Sequence, residues 1–347
     1  MKNRCRQGIL RIGPVAVVMA ASAFYAAAAS GADGQQAGAE ASVDQDLAQQ
    51  IFDTLVQAGA KPGYRVVHAK GIVCKGAFVP SKGAAALSRA AHFRRASVPV
   101  TVRFSNAAAD PATPDNSPDA GARGMAIRFA LPGGGRTDIV ALSHNGFAVG
   151  TGKDFLALRK AIAATEPSKP HPWPVEAFLA GHPLAAKFVK ETQVIPASYG
   201  THGYFSNDAF IFVNKEGVKQ AGRYEILPVA GQQDLSEAEA KTKSANFLAE
   251  DLRTRLKAGP IKFRLVVQLP NPGDPTNDSS LVWPEDRKTI EVGTISITSV
   301  VADSDAAQRA LAVAPTNLTD GIELSDDPLP ALRTSVYGRS VARRRQK

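Results

Sequence analysis

Three groups of residues have types and spacings that could do chemistry. The first is Arg65-Val66-Val67-His68, a histidine in an apolar, β-branched setting three residues after an arginine. Such a histidine can take and release a proton near neutral pH, and the arginine can anchor an anion beside it. The second is Val100-Thr101-Val102-Arg103-Phe104-Ser105, which places an arginine within an alternating strand pattern. The third is Arg333-Thr334-Ser335-Val336-Tyr337, an arginine and a tyrosine one helical turn apart on a shared face. A free tyrosine has a pKa of about 10 and is a poor metal ligand at neutral pH. A guanidinium one turn away favours the phenolate, a hard oxygen that suits a ferric ion. Haem iron held by tyrosinate is one protein solution for peroxide chemistry. Each group also has a plainer reading when taken alone: a core histidine with a surface arginine, and an ion-pairing arginine with a packed tyrosine.

Composition narrows the classes. With 44% hydrophobic and 21% charged residues over 347 positions, the chain can bury a large globular core. The formal charge is +9, but Lys2, Arg4, Arg6 and Arg11 sit ahead of the apolar run Ile12–Ala29, which ends in alanines. That layout reads as a secretory signal over residues 1–29, cleaved after Ala29 or Ala32. Its removal leaves +5, too small an excess to argue for nucleic acid, and the mature chain is expected to have no stable membrane insertion. Cys5 leaves with the signal. Cys74 is then the lone cysteine, expected to be buried, so neither a disulfide framework nor a Cys-ligated metal site is available.

The elements that must position the candidate residues follow from periodicity. Residues 30–41 read as a flexible leader, and 42–347 as one domain. Ser42–Ala58 has helical spacing, capped by Asp44 or Ser42 and ended by Gly59. Strands are expected at Tyr64–Ala69, Ile72–Val79, Pro99–Ser105, Arg123–Leu131, Thr137–Leu142, Ala209–Asn214, Arg223–Val229, Ile261–Leu269 and Glu291–Ser299. In the first of these, period two puts Val66 and His68 on one face and Arg65 and Val67 on the other. Helices are expected at Lys153–Ala164, Ser236–Leu256 and Leu329–Arg345, with irregular chain after Asp303. Gly133-Gly134-Gly135 reads as a hairpin turn, since no GKS or helix start follows it. Residues 166–183 read as a surface loop, because prolines separate His171 from His182 and no metal pattern joins them. No nucleophile elbow, zincin helix or dinucleotide fingerprint occurs. The fold class is α+β: an antiparallel β-barrel of six to eight strands with an N-terminal helical arm and peripheral helices.

Tyr64-Arg65-Val66-Val67-His68-Ala69-Lys70-Gly71, then Val102-Arg103-Phe104-Ser105, then Arg123-Gly124-Met125-Ala126, then Asp138-Ile139-Val140, then Arg333-x-x-x-Tyr337 stand in the order seen in haem catalases. With its signal, short length and Trp283-Pro284-Glu285-Asp286-Arg287, the chain resembles the small exported catalase-related peroxidases from about Asp44 to about Arg345. The resemblance implies a catalase-like barrel and a haem cofactor, haem b with ferric iron. It implies His68 as the distal acid–base group, with Ser105 orienting its ring, and Tyr337 as the iron ligand, held as phenolate by Arg333. Arg65 and Arg103 would pair with the haem propionates, Arg344 would be a further propionate contact, and Val67 and Phe155 would line the haem faces. Catalases carry an asparagine after the Asp-Leu-Val strand that helps position peroxide. Here that place falls at Leu142 or Ser143, with His144 and Asn145 nearby. The resemblance therefore implies a periplasmic peroxidase that reduces hydrogen peroxide or organic hydroperoxides with an external electron donor, with weak catalase activity, as a monomer or homodimer. Two rival readings are rearrangement of fatty-acid hydroperoxides on the same fold, and a non-enzymatic haem carrier or peroxide sensor.

Overall fold

The computed structural model describes residues 44–346; the expected signal and leader lie outside them. Helix α1 (Gln45–Gln57) starts where Asp44 accepts from the Leu47 amide at 2.8 Å, and it buries Ala48, Ile51 and Leu55. The chain then runs irregularly to β1 (Gly71–Pro80), α2 (Lys82–Leu87), β2 (Val98–Asn106), β3 (Arg123–Ala130) and β4 (Arg136–Leu142). A helical excursion follows: α3 (Gly152–Ala163), α4 (Pro174–Gly181) and α5 (Pro183–Glu191). Next come β5 (Tyr204–Phe205), β6 (Phe210–Val213), β7 (Lys219–Pro228), α6 (Glu237–Lys241), α7 (Phe247–Ala258), β8 (Ile261–Gln268) and β9 (Thr289–Val300). The described chain finishes with α8 (Ser304–Ala310), β10 (Ile322–Leu324) and α9 (Leu329–Arg345).

Eight strands close an antiparallel barrel in the order β7-β5-β4-β3-β2-β1-β9-β8, with β8 pairing back to β7. Strands β6 and β10 extend the sheet beyond β7. The barrel and its helices match the expected α+β class. Strand β2 shows how the sequence builds it: Val100, Val102 and Phe104 point into the core, while Arg103 and Ser105 point outward. Yet Arg103 and Ser105 are 4% and 3% exposed, because residues 65–69 and α8 cover that face. A second apolar cluster lies outside the barrel, where Ile51 and Leu55 of α1 meet Val66, Leu156 and Val336, with Val67, Phe155 and Leu332 at its margin. The candidate site lies between the barrel wall and this helical layer. Cys74 is buried on β1, and burial pushes its thiol up to about 12, so it is inert.

Four expectations are corrected. Tyr64–Ala69 is not a strand: the His68 and Ala69 amides bond to Ala107 and Ala108 carbonyls in a loop, and His68 sits at φ 55°. The stretch 166–183 is not simply a surface loop, since α4 begins within it and α5 at its end. Pro174 and Pro183 occupy first-turn positions, where a missing N–H costs nothing. Ser236–Leu256 is two helices, for Asn116 Nδ2 bonds the Ala240 and Lys243 carbonyls and ends α6. Asp303 caps α8 in a region expected to be irregular.

Inside the barrel His92 packs against Phe93 and Phe129 at ring distances of 4.3 and 4.8 Å, its Nδ1 unpartnered. Burial lowers its pKa to about 3. The unfolded histidine protonates near its ordinary value, so between there and pH 3 the unfolded state binds more protons. Stability must therefore fall as pH drops below about 6.5. By pH 5 this one residue should cost roughly 2 kcal/mol. Urea unfolding of wild type and His92→Phe at pH 7 and pH 5 checks this: the variant should lose less on acidification, and an equal loss refutes it.

Candidate active site

His68 is held from both sides. Its Nδ1 lies 3.1 Å from Ser105 Oγ, and its carbonyl accepts from Arg103 Nη2 at 2.7 Å. Arg103 thus fixes a backbone that a non-glycine residue adopts at some cost. Gly124 of β3 leaves the ring its room: a Cβ there would stand 3.0 Å from His68 Nδ1 and 2.8 Å from Ser105 Oγ. Leu142 pairs directly with Gly124 across the sheet, so the two positions share a face. The face that carries Gly124 therefore receives the aliphatic side chain of Leu142, where the resemblance leads one to expect an amide. Ser143 is engaged elsewhere, its Oγ accepting from the Arg123 amide. His144 bonds Glu191 at 2.8 Å. Nδ1 is engaged by Ser105, which leaves Nε2 as the ring nitrogen that Ser105 does not hold. Burial, then the charges of Arg103, Arg65 and Arg333, push the His68 pKa down to about 3, so the ring is neutral near pH 7.

The arginine–tyrosine pair lies on α9 as its spacing implied. Arg333 Nη2 is 3.3 Å from Tyr337 Oη, and Nη1 is 2.5 Å from Asp208 Oδ2. Burial works against the Arg333 cation, but Asp208 and Tyr337 outweigh it and the net shift is upward. Asp208 was not legible as a site residue. Its only signal was an acidic residue directly before the expected strand Ala209–Asn214, and burial pushes its carboxyl up against the pull of Arg333. Val67 and Phe155 lie in the cluster that includes Val336, next to Tyr337 in sequence.

Arg65, Arg103 and Arg344 converge on α8. Arg65 donates to the Gln308 and Leu311 carbonyls at 2.9 and 2.8 Å. Arg344 donates to the Arg309 and Leu311 carbonyls at 3.0 and 2.6 Å, and Arg103 to Gln308 Oε1 at 3.0 Å. These carbonyls, at the end of α8, lack helical partners. Among the described residues no carboxylate pairs with any of the three arginines. Burial and mutual repulsion push Arg65 to about 7, and burial pushes Arg103 and Arg344 to about 10. Guanidinium does not give up its proton near neutrality, so this cluster calls for an anion of more than one charge. The carboxylates of a haem fit that need, and the phenol of Tyr337 fits a ferric ion.

His171 and His182 are not brought together as ligands. His171 bonds Glu176 at 2.7 Å and His182 bonds the Phe178 carbonyl at 2.8 Å.

A family model described as catalase matches residues 50–346. A catalase-related peroxidase of Mycolicibacterium paratuberculosis is 36% identical over 286 residues, covering 82% of this chain and 90% of the relative. One of Synechococcus elongatus is 32% identical over 290 residues, covering 82% and 85%. Among solved structures, catalase A from Saccharomyces cerevisiae superposes with a TM-score of 0.73 at 21% identity, covering 81% of this chain and 61% of that one. A fungal catalase gives 0.73 at 20% identity, covering 82% and 60%. The chain thus spans about three-fifths of the catalase chains whose fold it shares.

Proposed function

Because the chain belongs to the catalase family, we propose that it is a haem-dependent peroxidase, reducing hydrogen peroxide or organic hydroperoxides with electrons from an external donor. The observation that carries this is the largely buried cluster of Arg65, Arg103 and Arg344, with which no carboxylate pairs among the described residues, beside a neutral His68. The two bacterial relatives, named catalase-related peroxidases, support it.

Tyr337 would hold the iron, and the three arginines would hold the propionates. When bound, haem b with ferric iron supplies the redox chemistry. The residues of the chain do the rest. Neutral His68 would take a proton at Nε2 from the peroxide and return it to the oxygen that leaves, as water from hydrogen peroxide or as an alcohol from an organic hydroperoxide. Ser105 keeps the ring oriented. Propionates would neutralise Arg65 and Arg103, two of the charges that depress His68, and so raise its basicity part of the way, burial being the larger cause. Arg333, anchored by Asp208, steadies the phenolate. Leu142 offers the distal face no hydrogen-bond donor, which favours reduction by a donor over dismutation, hence weak catalase activity. The basic and apolar pattern of residues 1–29 supports a periplasmic location.

The test is to reconstitute the full chain with haem and follow peroxide consumption and dioxygen release, with and without a donor. Wild type should take up haem and turn over mainly with the donor, and Leu142→Asn should raise dioxygen release roughly tenfold, as a regained hydrogen bond would. A wild-type protein that takes up no haem would end the reading.

A further inference from the structure

We propose that the cavity of about 230 Å³ between residues 62–69 and α8 is where the electron donor docks, and that the donor is a small anion. This rests on the haem peroxidase reading and extends it. The walls include Tyr64, Arg65, Asp305, Gln308, Arg309 and Arg344. Neither His68, Val67 nor Tyr337 lines the cavity, so it is not the slot between the distal and proximal groups. It shares Arg65 and Arg344 with the cluster assigned to the propionates, which places it against the cofactor's carboxylate edge.

Size and charge define the ligand. The volume lies below that of a drug-sized pocket and suits a reductant of one small ring. Four guanidiniums, those of Arg65, Arg103, Arg309 and Arg344, would face two propionates and the Asp305 carboxylate, leaving one positive charge over. Arg309 is the one that remains: it is exposed and has no carboxylate within ion-pair distance among the described residues. Tyr64, 46% exposed, adds an aromatic wall for a ring to lie against. The far wall is fixed, because Arg65 and Arg344 grip the last carbonyls of α8, and Arg345 adds a bond to the Ala310 carbonyl at 3.3 Å. The Arg309 side chain takes no part in that grip, which uses its carbonyl alone. In the full reaction the donor gives up two electrons, the two protons come from donor and solvent together (one from each for the ascorbate monoanion), and the peroxide O–O bond breaks to give one alcohol, or water, and one water.

The test uses the haem-loaded full chain, with ascorbate as the anionic probe and N,N,N′,N′-tetramethyl-p-phenylenediamine as a donor without negative charge. Binding of ascorbate to the resting ferric protein is read from broadening of its proton resonances, and turnover is read separately. In Arg309→Glu the ascorbate Kd and KM should both rise roughly tenfold, with a smaller rise in Arg309→Gln. The KM for the phenylenediamine, and the rate of reaction with peroxide alone, should stay within about twofold of wild type. Unchanged ascorbate Kd and KM in Arg309→Glu, or no broadening in wild type, would overturn the proposal while leaving a peroxidase in place. Broadening without turnover of any donor would overturn both the donor role and the peroxidase reading. A chain that takes up no haem does the same.

Discussion

His68→Ala should still take up haem but lose roughly three orders of magnitude in its rate of reaction with peroxide, the middle of the range for removing a general acid–base group. No substitute is at hand. Among the described residues Ser105 is the only other polar side chain bonded to the ring, and the neighbouring positions are Gly124 and Leu142. The imidazole also has a geometric task that alanine forfeits, since residue 68 sits at φ 55° with its carbonyl held by Arg103. His68→Asn separates the two, for asparagine tolerates positive φ but exchanges no proton near neutrality. Both variants should show the same loss if the chemistry is the cause. Stopped-flow mixing with peroxide gives the rate directly. A rate within about threefold of wild type in either haem-loaded variant would falsify the assignment.

The second large effect is expected at Tyr337. Tyr337→Phe keeps the ring that lies 5.9 Å from the Arg333 guanidinium carbon, and removes only the oxygen. In the cofactor-free protein this should cost about 1 kcal/mol, the value of one hydrogen bond, because Asp208 still satisfies Arg333. In the haem protein it removes the proposed iron ligand. Affinity for haem should fall by roughly 100-fold or more, beyond the loss seen when an outer partner of a metal site is removed. The ferric absorption spectrum should change with it. Titration of haem into both proteins, beside circular dichroism of each, decides the matter. Equal affinity and identical spectra would remove Tyr337 from the site and leave Arg333 with a purely structural role.

How far these residues could be read in advance depended on the kind of order that holds them. The alternation of Val100, Val102 and Phe104 against Arg103 and Ser105 survives because a barrel wall has two faces of opposite character. Arg333 and Tyr337 were legible because one turn of helix is a local relation, and α9 has the expected bounds of Leu329–Arg345. His68 was singled out on a wrong backbone. Its conformation is set by Ala107, Ala108 and Arg103, none of which its own sequence neighbourhood encodes. The part played by α8 was hidden for a similar reason. A seven-residue helix carries little periodicity, and its end matters only because Arg65 and Arg344 arrive from opposite ends of the chain. Asp208 pairs with a residue on a distant helix, and no spacing announces such a partner.

The packing of α1 against α9 has a consequence for how the protein is made. Barrel closure joins β1 to β9, with Cys74 opposite Val300, and α9 follows both in the sequence. During synthesis from the N-terminus every barrel strand is therefore available before Tyr337 leaves the ribosome. Helix α1 has an earlier partner in α3, but Arg339 reaches Gln49, and Arg343 reaches the Ala60 and Lys61 carbonyls, only once α9 has docked. A nascent or truncated chain can thus own a complete barrel and His68 yet lack Tyr337. On the proposed assignment, iron capture would then be a late checkpoint, and half-made molecules would be kept from redox chemistry by the order of translation.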